Sequence, residues 1–267
     1  MFHEKFLKVV DTNISYISEG GGEVILFIHG LSGCKEEWEF SIPFFADNFN
    51  AVAIDLPGSG HSDKPDADYT MDFYCDAIKG FLDAMGIEKT VLVGNSMGGL
   101  IVQFFTLKYP ENVNKLILVD AATINSSEVR SPFTLNSEAI QEQKGFSPSM
   151  IKMMKRMLFY KPSEATDKLI ERAISDIKRE DHPAAFKAIL SSAANLINAD
   201  LGERVGDISP PTLIVWGEND RLMCPKVARG LCEKISGSEL VIIDECGHVP
   251  MLERPDEFNK AVLDFIN

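Results

Sequence analysis

Short apolar runs rich in β-branched residues recur along the chain, and they restrict the possible folds more than any other feature. The first unbroken run covers residues 24–28 (VILFI), and similar runs follow at residues 51–54, 90–93, 115–119, 212–216 and 240–243. A continuous apolar run of this length indicates a strand that is buried on both faces. Such strands are typical of parallel sheets that are covered by helices on both sides.

Helical patterns separate most of these runs. They cover residues 35–46, 71–85, 97–109, 226–235 and 256–266. Strands that alternate with helices form a mostly parallel sheet, because each crossover returns over one face with the same hand. Two earlier runs, residues 6–10 and 13–18, flank Asp11-Thr12 and predict an antiparallel hairpin at the start. We therefore predict an α/β fold with a mostly parallel, doubly wound sheet of about eight strands.

One long interval, residues 122–205, interrupts this alternation. It contains no run typical of a buried strand, but residues 149–159, 164–179 and 183–197 have helical patterns. Proline residues separate these patterns, as expected between short helices. We predict a core formed by residues 1–121 and 206–267, and a helical cap at residues 122–205 that is inserted after the sixth strand.

Charge and cysteine content narrow the classes of partner and compartment. Lys and Arg total 26 and Asp and Glu total 40, so the net charge is −14. This balance disfavours nucleic acid and anionic membranes, because phosphate binding needs clustered cations. The 5 cysteines form no CxxC pair, and their odd number favours reduced thiols in the cytoplasm over a disulfide framework. No signal-peptide pattern is visible, and no apolar stretch reaches the ~20 residues of a membrane span.

A tight turn between a strand and a helix presents a serine. Residues 94–98 (GNSMG) fit the pattern G-x-S-x-G, a strand pattern ends at Val93, and a helical pattern begins after Ser96. Glycines are needed where side chains would clash in such a turn, which places the hydroxyl at the helix N-terminus. In this context we interpret Ser96 as a nucleophile; the alternative is a turn that serves packing alone.

A serine nucleophile needs a base, and an imidazole is suited to that role near neutral pH. Of the 5 histidines, His248 follows the apolar run at residues 240–243. It should therefore lie at the carboxyl edge of the sheet, where ligands bind in open α/β folds. We predict that His248 is the general base, with His61 in a glycine-rich loop as the second choice.

A carboxylate must hold the imidazole in the correct tautomer. Asp220 follows the run at residues 212–216, so we expect it at the same edge as His248. Glu218 and Asp120 are alternatives, and Asp120 ends the preceding core strand. Asp220 is our preferred acid, and Asp120 would otherwise serve as a helix cap or loop anchor.

These residues resemble the α/β-hydrolase family, in which nucleophile, acid and histidine follow one another in this order. Further segments similar to the family are residues 29–31 (HGL), 55–62 (DLPGSGHS), 217–220 (GEND), 247–250 (GHVP) and 253–255 (ERP). The resemblance implies an oxyanion hole formed by the backbone N–H groups of Leu31 and Met97, and a structural role for His29. It also implies a helical cap in the inserted interval. The chemistry requires neither a metal nor an organic cofactor.

A methionine-rich helical pattern lies in the predicted cap. Met150, Met153, Met154 and Met157 follow helical spacing, as do Ile151 and Leu158. Such a face usually packs the helix against its neighbours, but it could also cover the nucleophile and accept apolar groups. We expect substrate contacts from Leu31, Met97, Met153, Met157, Leu222 and Val249.

Three functions are compatible with these residues. The first is hydrolysis of a small-molecule ester through an acyl-enzyme. The second is suggested by residues 94–99 (GNSMGG), which also resemble carbon–carbon bond hydrolases of ring-cleavage diketones; Arg156, Arg172 or Arg179 could hold the anionic substrate. Residues 30–38 and Val249 resemble the broader esterase group instead. The third is a lyase or a ligand receptor on the same fold.

Overall fold

Eight strands form a single sheet in the computed structural model, which describes residues 2–123, 148–177, 182–199 and 201–267. The strands lie in the order β1-β2-β4-β3-β5-β6-β7-β8. They are β1 (Lys5–Val9), β2 (Thr12–Gly20), β3 (Val24–Ile28), β4 (Asn50–Ile54), β5 (Thr90–Asn95), β6 (Val113–Val119), β7 (Thr212–Gly217) and β8 (Glu239–Ile243). β1 pairs with β2 and β2 with β4 in antiparallel fashion, and the other neighbours are parallel.

Helices cover both faces of the sheet. They are α1 (Ser41–Phe45), α2 (Met71–Met85), α3 (Met97–Lys108), α4 (Pro148–Leu158), α5 (Glu164–Ile177), α6 (His182–Asn198), α7 (Pro225–Lys234), α8 (Pro250–Glu253) and α9 (Pro255–Ile266). The predicted mostly parallel sheet with an antiparallel beginning is confirmed. Among the described residues, no helix combines the length and the apolarity that crossing a membrane requires.

One predicted helix is wrong. Residues 35–46 form a short 3-10 helix, Lys35–Trp38, followed by α1, rather than one continuous helix. Pro43 explains the break, because a continuous helix would need its missing N–H and would bring its ring against the carbonyl of Glu39. The sequence analysis also missed the short helix α8.

Burial of the central strands accounts for their apolar composition. Ile25 and Phe27 belong to the core cluster on one face of the sheet, and Leu26 and Ile28 belong to the cluster on the other. All four side chains are 0% exposed. Full burial of one such side chain contributes about 1.5 to 3 kcal/mol, so both faces of β3 stabilise the fold.

The parallel strands direct four loops to one edge of the sheet. Ser96, Asp120, Asp220 and His248 follow β5, β6, β7 and β8 in turn. In the chain, α4, α5 and α6 lie between β6 and β7, which is the interval of the predicted cap. Residues 124–147, 178–181 and 200 lie outside the described residues, and the division into core and cap stays a prediction.

Candidate active site

Ser96 lies in a strained turn between β5 and α3. Its backbone has φ 55° and ψ −119°, a conformation that is rare for residues other than glycine. A Cβ atom on Gly94 would lie 2.5 Å from the carbonyl oxygen of Gly98, and one on Gly98 would lie 2.4 Å from that of His29. The glycines are therefore required by close backbone contacts, and such strain typically occurs at functional sites.

The imidazole of His248 is oriented by Asp220. Its Nδ1 lies 2.7 Å from Oδ2 of Asp220, and both side chains are buried. The other carboxylate oxygen of Asp220 accepts hydrogen bonds from the backbone N–H groups of Leu222 at 2.7 Å and Met223 at 3.0 Å. Glu218, one of the alternative acids, is exposed. The geometry thus pairs His248 with the preferred acid.

The second ring nitrogen of His248 is available for proton transfer. Nε2 is buried and has no hydrogen-bond partner among the described residues, so the hydroxyl of Ser96 does not hydrogen-bond to it in this structure. Hydrogen bonds between a nucleophile and its base are often long before substrate binds. An unsatisfied buried acceptor is uncommon in proteins, and it is typical of a reactive site.

Two backbone N–H groups lie where the oxyanion hole is predicted. Met97 is the first residue of α3, so its N–H has no acceptor within the helix. A Cβ atom on Gly30 would lie 3.1 Å from Cβ of Ser96, which places the loop of Leu31 directly beside the serine. Within the described part of the chain, neither N–H donates to a protein acceptor. Both groups are suited to bind a developing negative charge.

The other candidate histidines have structural surroundings. Nε2 of His29 accepts a hydrogen bond from the N–H of Leu56 at 2.9 Å, and its Nδ1 lies 2.7 Å from the carbonyl oxygen of Gly30. Burial lowers the pKa of the His29 imidazole, which favours its neutral form. His61 is 47% exposed and pairs with Glu4. Within the ranges that the structure describes, His29 has no carboxylate partner, and the contact of His61 with Glu4 is exposed, whereas that of His248 with Asp220 is buried.

The predicted substrate contacts differ in exposure. Val249 and Met97 are buried, and Leu31, Leu222 and Met157 are half-buried. Met153 is 38% exposed, whereas Met154 is 6% exposed and packs in the same core cluster as Val249. The methionine face therefore packs α4 against its neighbours through Met154. The side chains of Met150 and Arg179 lie outside the described residues.

Two further cations of the cap have identifiable surroundings. Arg156 is exposed, and its backbone carbonyl accepts a hydrogen bond from Arg221. The guanidinium of Arg172 lies 3.9 Å from a carboxylate oxygen of Glu39. Neither contact is with the predicted triad.

The sequence analysis missed side chains that fix the loop of His248. The Asn95 amide donates to the carbonyl oxygens of His248 and Val119, each at 3.1 Å. The carboxylate of Glu253 accepts from the N–H of Gly247 at 2.9 Å and from that of Tyr160 at 2.7 Å. Both residues lie inside segments that resemble the family, but no spacing rule assigns them these contacts.

The loop of His248 is also bound directly to the predicted cap. The backbone N–H of His248 donates to the carbonyl oxygen of Leu158, the last residue of α4, at 2.7 Å. Together with the hydrogen bond from Tyr160 to Glu253, this contact ties the chain just after α4 to the loop of His248. A displacement of this part of the cap would therefore displace the imidazole.

A carboxylate cluster surrounds the histidine. One ligand atom each of Asp120, Asp220 and His248 lie within 4.8 Å of one another, the one such group of three among the described residues. Both oxygens of Asp220 already accept hydrogen bonds. One carboxylate is enough to orient the histidine, so the cluster contains a second carboxyl group, that of Asp120, which this role does not require.

Comparison with known proteins identifies the family. The sequence model of the α/β hydrolase fold matches residues 23–255. A 2-hydroxy-6-oxononadienedioate/2-hydroxy-6-oxononatrienedioate hydrolase of Pseudomonas putida is 33% identical, over 98% of this chain and 96% of the relative. The 2-hydroxy-6-oxo-6-phenylhexa-2,4-dienoate hydrolase of Comamonas testosteroni is 30% identical, with coverages of 98% and 96%.

A solved structure agrees with these relatives. The meta-cleavage product hydrolase CumD of Pseudomonas fluorescens IP01 has a TM-score of 0.84 and 25% identity, over 98% of this chain and 97% of that chain. The similarity therefore covers the whole fold, including the interval of α4 to α6. With the family match and the near-complete coverage of these relatives, the chain belongs to the α/β-hydrolase family and is a hydrolase.

Proposed function

We propose that this protein hydrolyses a carbon–carbon bond in a 2-hydroxy-6-oxo-dienoate, the type of compound formed by ring cleavage. The observation that carries the proposal is the similarity to two hydrolases of such compounds, at 33% and 30% identity over 98% of this chain. The sequence analysis placed ester hydrolysis first and this reaction second. The comparisons favour the second.

The first step is attack on the 6-oxo carbonyl. Ser96 Oγ forms a bond to carbon 6, and Nε2 of His248 takes the hydroxyl proton. The buried, unpartnered Nε2 supports this role, and the Asp220 carboxylate at 2.7 Å from Nδ1 stabilises the resulting imidazolium. The N–H groups of Met97 and Leu31 bind the oxyanion, at about 3 kcal/mol of barrier for each donor.

The second step breaks the bond between carbons 5 and 6. Before this bond breaks, the 2-hydroxy enol of the substrate tautomerises to the 2-oxo form, and carbon 5 gains a proton. When the bond breaks, its electron pair moves from carbon 5 through the conjugated system to the 2-oxo group, and the imidazolium returns a proton to the dienolate. The acyl group stays on Ser96 until water, deprotonated by His248, releases it as a carboxylic acid. One water is consumed, and the products are an acid and a 2-hydroxydienoate.

Ester hydrolysis is the second candidate. It uses the same nucleophile, base and oxyanion donors, but an alkoxide leaves in place of the dienolate. The resemblance of residues 30–38 and Val249 to the broader esterase group favours it. The two reactions differ in the leaving group and in the tautomerisation that precedes carbon–carbon cleavage, so substrate comparison separates them.

The test compares two substrate classes on the purified full chain. One is 2-hydroxy-6-oxo-6-phenylhexa-2,4-dienoate, and the other is a series of p-nitrophenyl esters of graded acyl length. We expect a higher kcat/KM for the dienoate, with benzoate and the 2-hydroxydienoate detected in equal amounts by chromatography. Faster turnover of an ester, with no cleavage of the dienoate, would contradict carbon–carbon hydrolysis and favour the second candidate.

Variants of Ser96 test the mechanism. Ser96→Ala should lower kcat by about 10⁴-fold or more, the typical effect of removing a serine nucleophile. Ser236→Ala is the matched control, because Ser236 is exposed and follows α7, away from the carboxyl edge of the sheet. Retained activity in Ser96→Ala would remove Ser96 from the reaction.

A further inference from the structure

A second buried carboxyl group lies beside the acid that orients His248. Asp120 follows β6 directly and is 0% exposed. Its backbone has a positive φ of 42°, and its N–H donates a hydrogen bond to the carbonyl oxygen of Val215 at 3.0 Å. One carboxyl oxygen of Asp120, one of Asp220 and one ring nitrogen of His248 lie within 4.8 Å of one another. The reaction proposed above does not use Asp120.

The two carboxyl groups have unequal numbers of donors. Asp220 accepts from three N–H groups, those of Leu222, Met223 and the His248 ring. Asp120 accepts from the N–H of Gly217 alone, at 3.0 Å through Oδ1, while its Oδ2 is buried without a donor in the described residues. Two adjacent buried carboxyl groups are not both ionised, and the one with more donors keeps the charge. That asymmetry places the proton on Asp120.

Burial and the neighbouring carboxyl groups favour the same state of Asp120. The titratable groups near Asp120 come from three elements. Asp220 lies in the loop after β7, Cys246 and His248 lie in the loop after β8, and Glu253 belongs to α8. Burial raises the pKa of Asp120 well above the ordinary carboxyl range, and the negative charges of Asp220 and Glu253 raise it further. Burial also raises the pKa of the Cys246 thiol and of Glu253, and neither group has a cationic form that would hold Asp120 ionised.

We propose that Asp120 is a protonated positioning residue, whose carboxylic acid O–H donates a hydrogen bond to the Asp220 carboxylate. Oδ1 of Asp120 continues to accept a hydrogen bond from the N–H of Gly217. Oδ2, which otherwise has no hydrogen-bond partner in the described residues, carries the proton and donates a hydrogen bond to Asp220. Asp220 then accepts hydrogen bonds from one O–H and three N–H groups. These four bonds fix the plane of the carboxylate that holds His248. The cluster keeps a single negative charge beside the imidazolium. This role rests on the hydrolytic function proposed above, since the triad is what Asp120 positions.

Two substitutions separate a protonated Asp120 from an ionised one. Asp120→Asn keeps both contacts, because its amide can donate to Asp220 and its carbonyl can accept from Gly217. We expect kcat/KM and the acidic limb of its pH profile to match those of the original chain. If Asp120 were ionised, the substitution would remove a negative charge near the imidazolium and move that limb down by about 1 to 3 pH units. Such a shift would overturn the proposal.

Asp120→Leu keeps the branched shape of the side chain with somewhat more bulk, and it removes both the donor to Asp220 and the acceptor of the Gly217 N–H. We expect kcat to fall at least tenfold with KM unchanged, since a tenfold fall corresponds to about 1.4 kcal/mol, the size of one lost hydrogen bond. Asp120→Asn is its control, since restoring the donor should restore kcat. Equal kcat values in the two variants would show that the hydrogen bond has no role in positioning.

Infrared spectroscopy tests the proton itself without any turnover. The difference spectrum between the original chain and Asp120→Asn at neutral pH should contain the carbonyl band of a protonated carboxyl group. A carboxylate band in its place would refute a protonated Asp120, even if both proteins are active. Failure of the hydrolytic function would instead appear in the Ser96→Ala and substrate comparisons, so the two proposals fail independently.

Discussion

Glu37 provides a quantitative prediction about stability and pH. Its side chain is 5% exposed and lies beneath the loop that carries Leu31. Oε2 is buried and has no hydrogen-bond partner in the described residues, and the nearby backbone of Gly30 and Cys34 offsets only part of the effect of burial on the pKa of the carboxyl group. A Cβ atom on Gly33 would lie 2.1 Å from Oε1, so the loop packs directly on the carboxyl group.

The free energy of unfolding should decrease as the pH rises, because the pKa of Glu37 is higher in the folded state than in the unfolded state. Burial raises the pKa of Glu37 from 4.5 to about 8. The folded state therefore prefers the neutral acid, and its contribution to stability is fully present below pH 4.5 and is lost as the pH rises towards 8. At about 1.4 kcal/mol per pH unit over this window, the loss amounts to about 5 kcal/mol.

Glu37→Gln removes this titration, because the amide stays neutral at every pH. Urea unfolding followed by circular dichroism at pH 5, 7 and 9 measures the free energy of unfolding. The amide changes local hydrogen bonding by a constant amount, so the informative quantity is the pH dependence. We expect the original chain to lose several kcal/mol more than Glu37→Gln between pH 5 and pH 9.

The control for this prediction is Glu111→Gln, which removes an exposed carboxylate. Its stability should fall with pH in parallel with that of the original chain. If Glu37→Gln also followed the original chain in parallel from pH 5 to pH 9, the assignment of a neutral buried Glu37 would be refuted.

Two further substitutions probe the turn at Ser96 and the loop of His248. Gly98→Ala should destabilise the fold by about 1 to 3 kcal/mol and abolish hydrolysis, because the new Cβ would lie 2.4 Å from the His29 carbonyl oxygen. An unchanged melting temperature of this variant would contradict that steric clash. Asn95→Ala should lower kcat and cost about 1 to 3 kcal/mol, because the carbonyl of His248 loses its donor, whereas the carbonyl of Val119 keeps the N–H of Ser96. An Asn95→Ala variant with unchanged kcat and unfolding midpoint would show that the amide does not support the loop.

Ionisation of Glu37 should lower activity as well as stability. The loop above the carboxyl group carries one of the two proposed oxyanion donors, the N–H of Leu31. Ionisation of Glu37 above pH 8 places a negative charge beneath that loop. The same charge would oppose a developing oxyanion at Ser96, so a decline in kcat at high pH should be smaller in Glu37→Gln.

Local sequence patterns determined the sheet and the tight turn at Ser96. Residues 24–28 form β3 as predicted, because five consecutive apolar residues are stable only where both faces of a strand are buried. The glycines of residues 94–98 predicted the turn at Ser96 through steric requirements that act over a few residues. The order of Ser96, Asp220 and His248 along the chain predicted the family.

Tertiary structure decided which side chains meet. Asp220 and Asp120 both follow core strands, and only the packing of the loops after β7 and β8 gives Asp220 the 2.7 Å contact with His248. The same packing buries Asp120 beside them, and it buries Met154 while leaving Met153 partly exposed. Periodicity identifies the face of a helix or the end of a strand, but distances between side chains far apart in sequence depend on the twist of the sheet and on loop conformation, which short-range patterns do not encode.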